Sequence, residues 1–322
     1  MAGISPLVLG QLGLGLLLLL VGGDGFVRGA VAIARRLGLS PLLIGLTLVG
    51  FGTSTPELLT SVQAALAGSP GIAIGNVVGS NIANILLILG LAAMVQPLRT
   101  SPRAFARDGT VVLLAALACV AVTIWGEIGR GQGVVLVAAL IAYIAYTYVH
   151  ERAAPDASAE MHAAEAELTP RPHRLWPALL FVAGGLGATL LGARLLVDSA
   201  IEIAFALEIS ETVVGLTVVA VGTSLPELVV SLMAALRRQG DVAFGNIVGS
   251  NIYNVFGILG ITALVQPIAV PPEIVGLDIW VMLGATLLLL AFAVSGWRVS
   301  RLEGAAFFAA YVAYVAVLAG VV

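Results

Sequence analysis

The 322-residue chain has no lysine, a single cysteine and three histidines, and only 10% of its residues are charged. With one cysteine, Cys119, no intrachain disulfide can form, and its apolar neighbours suit a buried packing role. Without a histidine or cysteine cluster there is no ligand set for zinc or another soft metal. No HExxH motif and no catalytic aspartate pair is present, so an intramembrane enzyme is not expected. Nothing in the charge pattern suggests a nucleic-acid partner. No cofactor is expected either.

Apolar residues, in contrast, make up 60% of the chain. That share exceeds what a soluble domain of this length needs and indicates a multi-span membrane protein in the lipid bilayer. Apolar runs near twenty residues match the length of a bilayer-crossing helix. They lack strand-like alternation, so the expected class is all-α. The first run lacks a basic flank and a cleavage site and reads as a retained span. Ten spans are expected, at roughly 6–34, 41–66, 72–95, 108–126, 131–150, 175–205, 211–236, 242–265, 273–296 and 302–321. The polar, Ala/Glu-rich stretch 151–174 reads as a linker.

All fifteen basic residues are arginines. With ten spans, twelve of them fall in loops on one side, only Arg130 falls in a loop on the other, and Arg28 and Arg194 lie within spans. The positive-inside rule then puts both termini outside and 151–174 in the cytoplasm, with the plasma (cell inner) membrane as the expected location.

Residues 52–97 align without a gap to 222–267, and 26 of the 46 positions are identical. The expected organisation is a first five-helix repeat (1–150), the linker (151–174) and a second five-helix repeat (175–322). Five is odd, so the repeats would enter the membrane in opposite directions, the inverted-topology architecture of secondary transporters. The identity concentrates in polar residues at membrane depth. GTSTPELLTS (52–61) and GTSLPELVVS (222–231) each place a proline and a glutamate within an apolar segment. Pro56 and Pro226 free the carbonyls of Gly52 and Gly222, and of Thr53 and Thr223, from helical pairing. Glu57 and Glu227 are carboxylates that a membrane interior tolerates only when paired or neutralised. Ser54, Glu57 and Ser61 share one helical face, as do Ser224, Glu227 and Ser231. Hydroxyl and carboxylate oxygens of this kind suit Ca²⁺ or Na⁺.

The following span carries GNVVGSNIAN (75–84) and GNIVGSNIYN (245–254). Asn76, Ser80 and Asn84 recur every four residues, as do Asn246, Ser250 and Asn254, and offer neutral oxygens. Ser80, Asn84, Ser250 and Asn254 are candidate ion contacts, while Asn81 and Asn251 point off that face and read as structural. The Gly75/Gly79 and Gly245/Gly249 pairs suit close helix packing. Asp24 with Arg28, and Arg194 with Asp198, can form ion pairs four residues apart and are assigned to structure.

With its twin GTS-x-PE and GN-x-VGSN signatures, the chain resembles the cation/calcium antiporter superfamily, and within it the prokaryotic sodium/calcium exchangers, over nearly its whole length. The resemblance implies ten helices in two inverted halves and four cation sites among spans 2, 3, 7 and 8. It implies Ca²⁺ ligation by the carboxylates of Glu57 and Glu227 and the carbonyls of Thr53 and Thr223. It implies Na⁺ sites at Ser54, Ser80, Ser224, Ser250 and the carbonyls of Gly50 and Ala220, with Asn84 and Asn254 lining the centre. Exchangers of this kind often carry aspartate where Asn254 stands, so only two formal charges remain here. Three Na⁺ at that pair would leave one surplus charge and make exchange electrogenic. The expected activity is Na⁺/Ca²⁺ antiport by alternating access, with the first and sixth spans as the moving gate. Proton/calcium exchange and a passive cation channel are the alternatives. One copy is sufficient for this activity, and the oligomeric state stays open.

Overall fold

The computed structural model describes residues 5–37, 50–99, 102–153, 175–236, 238 and 240–320. The expected linker falls almost wholly outside these residues, as does the start of the expected span 41–66. The described chain is overwhelmingly helical. Pro6–Arg36 (α1) starts at Ser5, whose hydroxyl accepts from the amide of Leu7, with proline at the first helical position, where its missing N–H costs nothing. Gly50–Thr53 (α2) and Thr55–Leu66 (α3) follow, separated at Ser54. The next helix, α4, runs Pro70–Ile82, passes through a π-helical stretch at Ala83–Leu89 and ends as Gly90–Val95. Pro102–Thr123 (α5) and Arg130–Ala153 (α6) complete the first half.

The second half repeats this order. Leu175–Leu207 (α7) is followed by Glu211–Thr223 (α8) and Leu225–Leu236 (α9), which meet at a 50° bend around Ser224. Next comes α10, running Gly240–Ile252, through a π-helical stretch at Tyr253–Leu259, into Gly260–Val265. Ile274–Val294 (α11) and Arg301–Leu318 (α12) close the chain. α12 begins with a capping box, in which the Ser300 hydroxyl accepts from the amide of Glu303 and the Glu303 carboxylate accepts from the amide of Ser300. Among the described residues seven helices are long and apolar enough to cross a membrane, or eight if α8 and α9 form one bent span. The chain is thus a multi-pass helical membrane protein.

Two short ladders tie loops of different halves together. Leu98–Arg99 (β1) pairs antiparallel with Arg298–Val299 (β4), and Glu127–Ile128 (β2) pairs antiparallel with Ile268–Ala269 (β3). Each ladder joins the loop after α4 or α10 to a loop of the other half. The helices interleave in the same way. A Cβ on Gly90 of α4 would meet the Gly304 carbonyl of α12 at 3.0 Å, and one on Gly133 of α6 would meet the Gly260 carbonyl of α10 at 2.8 Å. The last helix of each half therefore packs against the polar-motif helix of the other.

The core sits around α4 and α10, which are almost wholly buried. α1 and α7 lie across it as an antiparallel pair. Gly15 meets Gly192, Gly22 meets Thr189 and Gly29 meets Ala178, each too close to admit a Cβ. The two ion pairs read from sequence lie on this exposed pair, Arg28 to Asp24 at 2.8 Å and Arg194 to Asp198 at 3.8 Å. Glycine packing is seen at Gly79, whose Cβ would fall 2.6 Å from the Leu216 carbonyl. At Gly249, where packing was expected, no such neighbour lies within 4 Å.

Candidate functional site

Proline at the second position of α3 supplies no amide to the preceding turn, and the helix breaks at Ser54, whose φ of −90° and ψ of 7° leave the helical range. Ser224 breaks its helix in the same way, with φ −83° and ψ 11°. Each break turns a serine hydroxyl away from its own helix and across the molecule. Ser54 Oγ donates to Glu227 Oε1 at 3.2 Å, and Ser224 Oγ donates to Glu57 Oε1 at 3.0 Å. Each carboxylate is thus held by the serine of the other half. Ser250 Oγ also donates to Glu227 Oε1 at 3.2 Å and lies 3.3 Å from Ser54 Oγ.

Behind each glutamate an asparagine fastens the broken helix. Asn76 Nδ2 donates to the Glu57 carbonyl at 3.1 Å and to Ser61 Oγ at 2.9 Å. Asn246 Nδ2 donates to the Glu227 carbonyl at 3.4 Å and to Ser231 Oγ at 3.0 Å. Ser61 and Ser231, expected on the ligand face, are therefore engaged in this anchor. Asn76 Oδ1 accepts from Thr223 Oγ1 at 3.0 Å, a further tie between halves. The Ala220 carbonyl receives Ser80 Oγ at 3.5 Å, which brings together two residues expected at one site. The same carbonyl also accepts from Thr223 Oγ1 at 3.3 Å and from the Ser224 amide at 3.1 Å.

The two central asparagines differ. Asn84 Nδ2 donates to Asn251 Oδ1 at 2.9 Å and to Ser250 Oγ at 3.3 Å, while Asn251 Nδ2 donates to the Asn81 carbonyl at 3.4 Å. Asn254 has neither amide atom hydrogen-bonded. Both asparagines stand second in their π-helical stretches, a local widening common at functional sites. No sequence signal marks those stretches.

Glu57 and Glu227 are 0% exposed, and among the described residues Oε2 of each lacks a hydrogen-bond partner, as do Asn84 Oδ1 and Asn254 Oδ1. Leaving charged or polar oxygens buried and unpartnered costs on the order of 1–3 kcal/mol each, more when charged. Buried unpartnered carboxylate and amide oxygens, with no histidine or cysteine in the motifs that carry them, are what a hard cation takes. The helix breaks also open onto a cavity of about 420 Å³ between α1, α3 and α9, lined in part by Gly23, Asp24, Thr53, Pro56 and Pro226. α1 covers both breaks. A Cβ on Gly52 would meet Val27 at 2.8 Å, and one on Gly222 would meet Leu16 at 2.7 Å.

The chain matches the protein family described as "Sodium/calcium exchanger protein" over residues 7–149 and 177–320. It is 36% identical over 342 residues to the sodium/calcium exchanger MaX1 of Methanosarcina acetivorans, covering 95% of this chain and 96% of that protein. It is 36% identical over 292 residues to the inner membrane protein YrbG of Escherichia coli, covering 90% of this chain and 89% of that protein. Among solved structures it resembles the sodium–calcium exchanger NCX_Mj soaked with Na⁺ and Ca²⁺. That match has a TM-score of 0.63 and 36% identity, and covers 97% of this chain and 98% of the other.

Proposed function

The chain belongs to the sodium/calcium exchanger family, a family of transporters and not of enzymes, and we propose that it is a secondary antiporter in the plasma membrane that exchanges Na⁺ for Ca²⁺ by alternating access. One observation carries this reading: two buried glutamates, each gripped by a serine of the opposite half, keep an unpartnered oxygen beside a pair of broken helices. In this reading Ca²⁺ takes the carboxylates of Glu57 and Glu227 with the carbonyls of Thr53 and Thr223. Na⁺ takes Ser54, Ser80, Ser224, Ser250 and the carbonyls of Gly50 and Ala220, and Asn84 and Asn254 line the centre. Two carboxylates balance one Ca²⁺. Both ions need the same carboxylates, so they cannot be held together, and that competition is the coupling.

The proposed architecture is ten spans in two inverted five-helix repeats, 1–150 and 175–322, joined by a cytoplasmic linker at 151–174, with both termini outside. The parallel run of α4 and α8, in which Gly71 faces Thr212 and Gly79 faces Leu216, supports it, because the third span of one half and the second of the other then cross in one direction. The exchanged ladders support it as well. The α1/α7 pair serves as the gate. The covering of Gly52 and Gly222 by α1 supports that role, since sliding the pair would uncover one break and then the other.

The test is Ca²⁺ binding to the purified chain, titrated with NaCl and with choline chloride at matched ionic strength and fixed pH. Na⁺ should displace Ca²⁺ with a Hill coefficient above one, and choline should not. Linkage then requires Ca²⁺ to weaken Na⁺ binding by the same factor. Equal effects of the two salts, with displacement by acid, would transfer the reading to proton/calcium exchange.

A further inference from the structure

Asp278, at the end of the π-helical first turn of α11, is 1% exposed, and the central site does not use it. Its Oδ1 accepts a hydrogen bond from the Tyr314 hydroxyl at 2.8 Å, while its Oδ2 has no partner among the described residues. It lines a cavity of about 300 Å³ where three helix ends meet: Thr212 and Val213 at the start of α8, Glu273, Gly276 and Leu277 at the start of α11, and Val317 and Leu318 at the end of α12. Glu273 stands at the exposed rim, and no basic side chain is among the lining residues.

The first half shows what normally accompanies such a carboxylate. In the register that aligns the two cassettes, Asp108 matches Asp278, and it too accepts from a tyrosine, Tyr143, at 3.3 Å. But Asp108 is gripped by Arg107, whose Nε and Nη2 lie 2.7 and 3.0 Å from its two oxygens. Leu277 occupies the position of Arg107, and Glu273 occupies that of Arg103. The second half keeps the aspartate, takes its tyrosine from a position one residue out of that register (Tyr314, where Ala313 matches Tyr143), and replaces one arginine with an apolar residue and the other with a second carboxylate. A buried carboxylate without a counter-charge is costly.

We propose that Asp278 and Glu273, with Thr212 beside them, form a second cation site, separate from the one between the broken helices, that takes a divalent hard cation such as Ca²⁺. Two carboxylates match a divalent charge, and the polar side chains of the otherwise apolar lining, Thr212, Glu273 and Asp278, offer only oxygen, which suits a hard ion. A cation there supplies the charge that Arg107 supplies to Asp108. It also clamps the start of α8, the helix that leads to Ser224 and Glu227, to the ends of α11 and α12. This is a regulatory position at the head of a helix that the transport site depends on.

The proposal does not rest on the Na⁺/Ca²⁺ reading, and its test is kept apart from it. ⁴⁵Ca²⁺ binding stoichiometry is measured on the detergent-purified full chain, on Glu57→Gln, on Leu277→Arg and on Glu273→Gln. Leu277→Arg restores the first-half arrangement without removing a carboxylate, at a position 40% exposed. The proposal expects Leu277→Arg to lose one bound Ca²⁺ per chain and Glu273→Gln to weaken that equivalent at least tenfold. It also expects Glu57→Gln to retain it. If Leu277→Arg and Glu273→Gln, both eluting as folded protein, bind as much Ca²⁺ as the parent chain, the second site is refuted. Failure of the transport-site reading would instead appear as a Glu57→Gln variant that loses nothing while Leu277→Arg still does.

Discussion

Glu57 and Glu227 share one crossed arrangement, with Glu227 taking a second donor, Ser250, where the matching Ser80 turns to the Ala220 carbonyl, whereas Asn84 and Asn254, one helix further on, differ throughout. Each glutamate is buried, each accepts from the serine of the opposite half, and each leaves Oε2 unpartnered. Asn84 is docked on Ser250 and Asn251, but both amide atoms of Asn254 are unpartnered. Where the halves agree, the chemistry needs two copies of a group, because one divalent ion needs two negative charges. Where they disagree, one half is fixed and the other is left able to respond. Asp108 and Asp278 repeat the pattern, with a guanidinium on the first and none on the second.

The largest effects should come from breaking the matched pair. Glu57→Gln and Glu227→Gln should each abolish Ca²⁺ transport, with ion affinity falling about a thousandfold, since each removes one of two charges acting at close range. ⁴⁵Ca²⁺ uptake at equal expression is the check, and the two variants should be equally impaired. A large difference between them would break the equivalence.

Crossed partners are tested by serine substitutions. Ser54→Ala and Ser224→Ala each delete a hydrogen bond to a buried carboxylate, which contributes about 1.5–3 kcal/mol, so the ion-free chain should lose stability on that scale in thermal unfolding. A double-mutant cycle sharpens the point. Ser54→Ala should couple to Glu227→Gln by more than about 0.5 kcal/mol, and to Glu57→Gln by less. Coupling within one half instead of across halves would contradict the observed geometry.

How much of this was legible in the sequence follows from what a sequence encodes. The broken helices, the two glutamates and the asparagine helices were legible because proline and carboxylate are costly at membrane depth and occur here twice. The crossing of Ser54 to Glu227 was not, since helical spacing gives a face and not the partner it meets. Ser61 shares a face with Glu57 by spacing, yet the Asn76 amide from the next helix claims it. The π-helical stretches at Asn84 and Asn254 carry no composition signature. Spacing puts Asn81 and Asn251 off the candidate face, but the bridge from Asn251 to Asn84 and to the Asn81 carbonyl is visible only in the fold. Gly79 and Gly249 share the sequence VGSNI, but only Gly79 has Leu216 against it.

Those glycines give the next comparison. Gly79→Ala places a Cβ 2.6 Å from a backbone carbonyl and should destabilise by about 1–3 kcal/mol, whereas Gly249→Ala should be near neutral. Thermal unfolding in detergent separates the two, and equal losses would mean that the halves pack alike after all. The smallest effect is expected at the unequal asparagines. Asn254→Asp should leave the protein folded and alter its ion preference or pH dependence, because the added carboxylate joins Glu57 and Glu227 and like charges resist ionising together. Asn84→Asp should cost stability as well, since its Nδ2 bonds to Asn251 and Ser250 are lost.

The most direct test of the account is ⁴⁵Ca²⁺ uptake by proteoliposomes loaded with Na⁺ and diluted into Na⁺-free choline medium at equal pH on both sides. Uptake should be driven by the outward Na⁺ gradient, vanish when Na⁺ is equal on both sides, and be absent in Glu57→Gln and Glu227→Gln. Uptake that ignores the Na⁺ gradient and follows an imposed pH gradient would contradict sodium coupling, and uptake that persists in the glutamine variants would contradict the site itself.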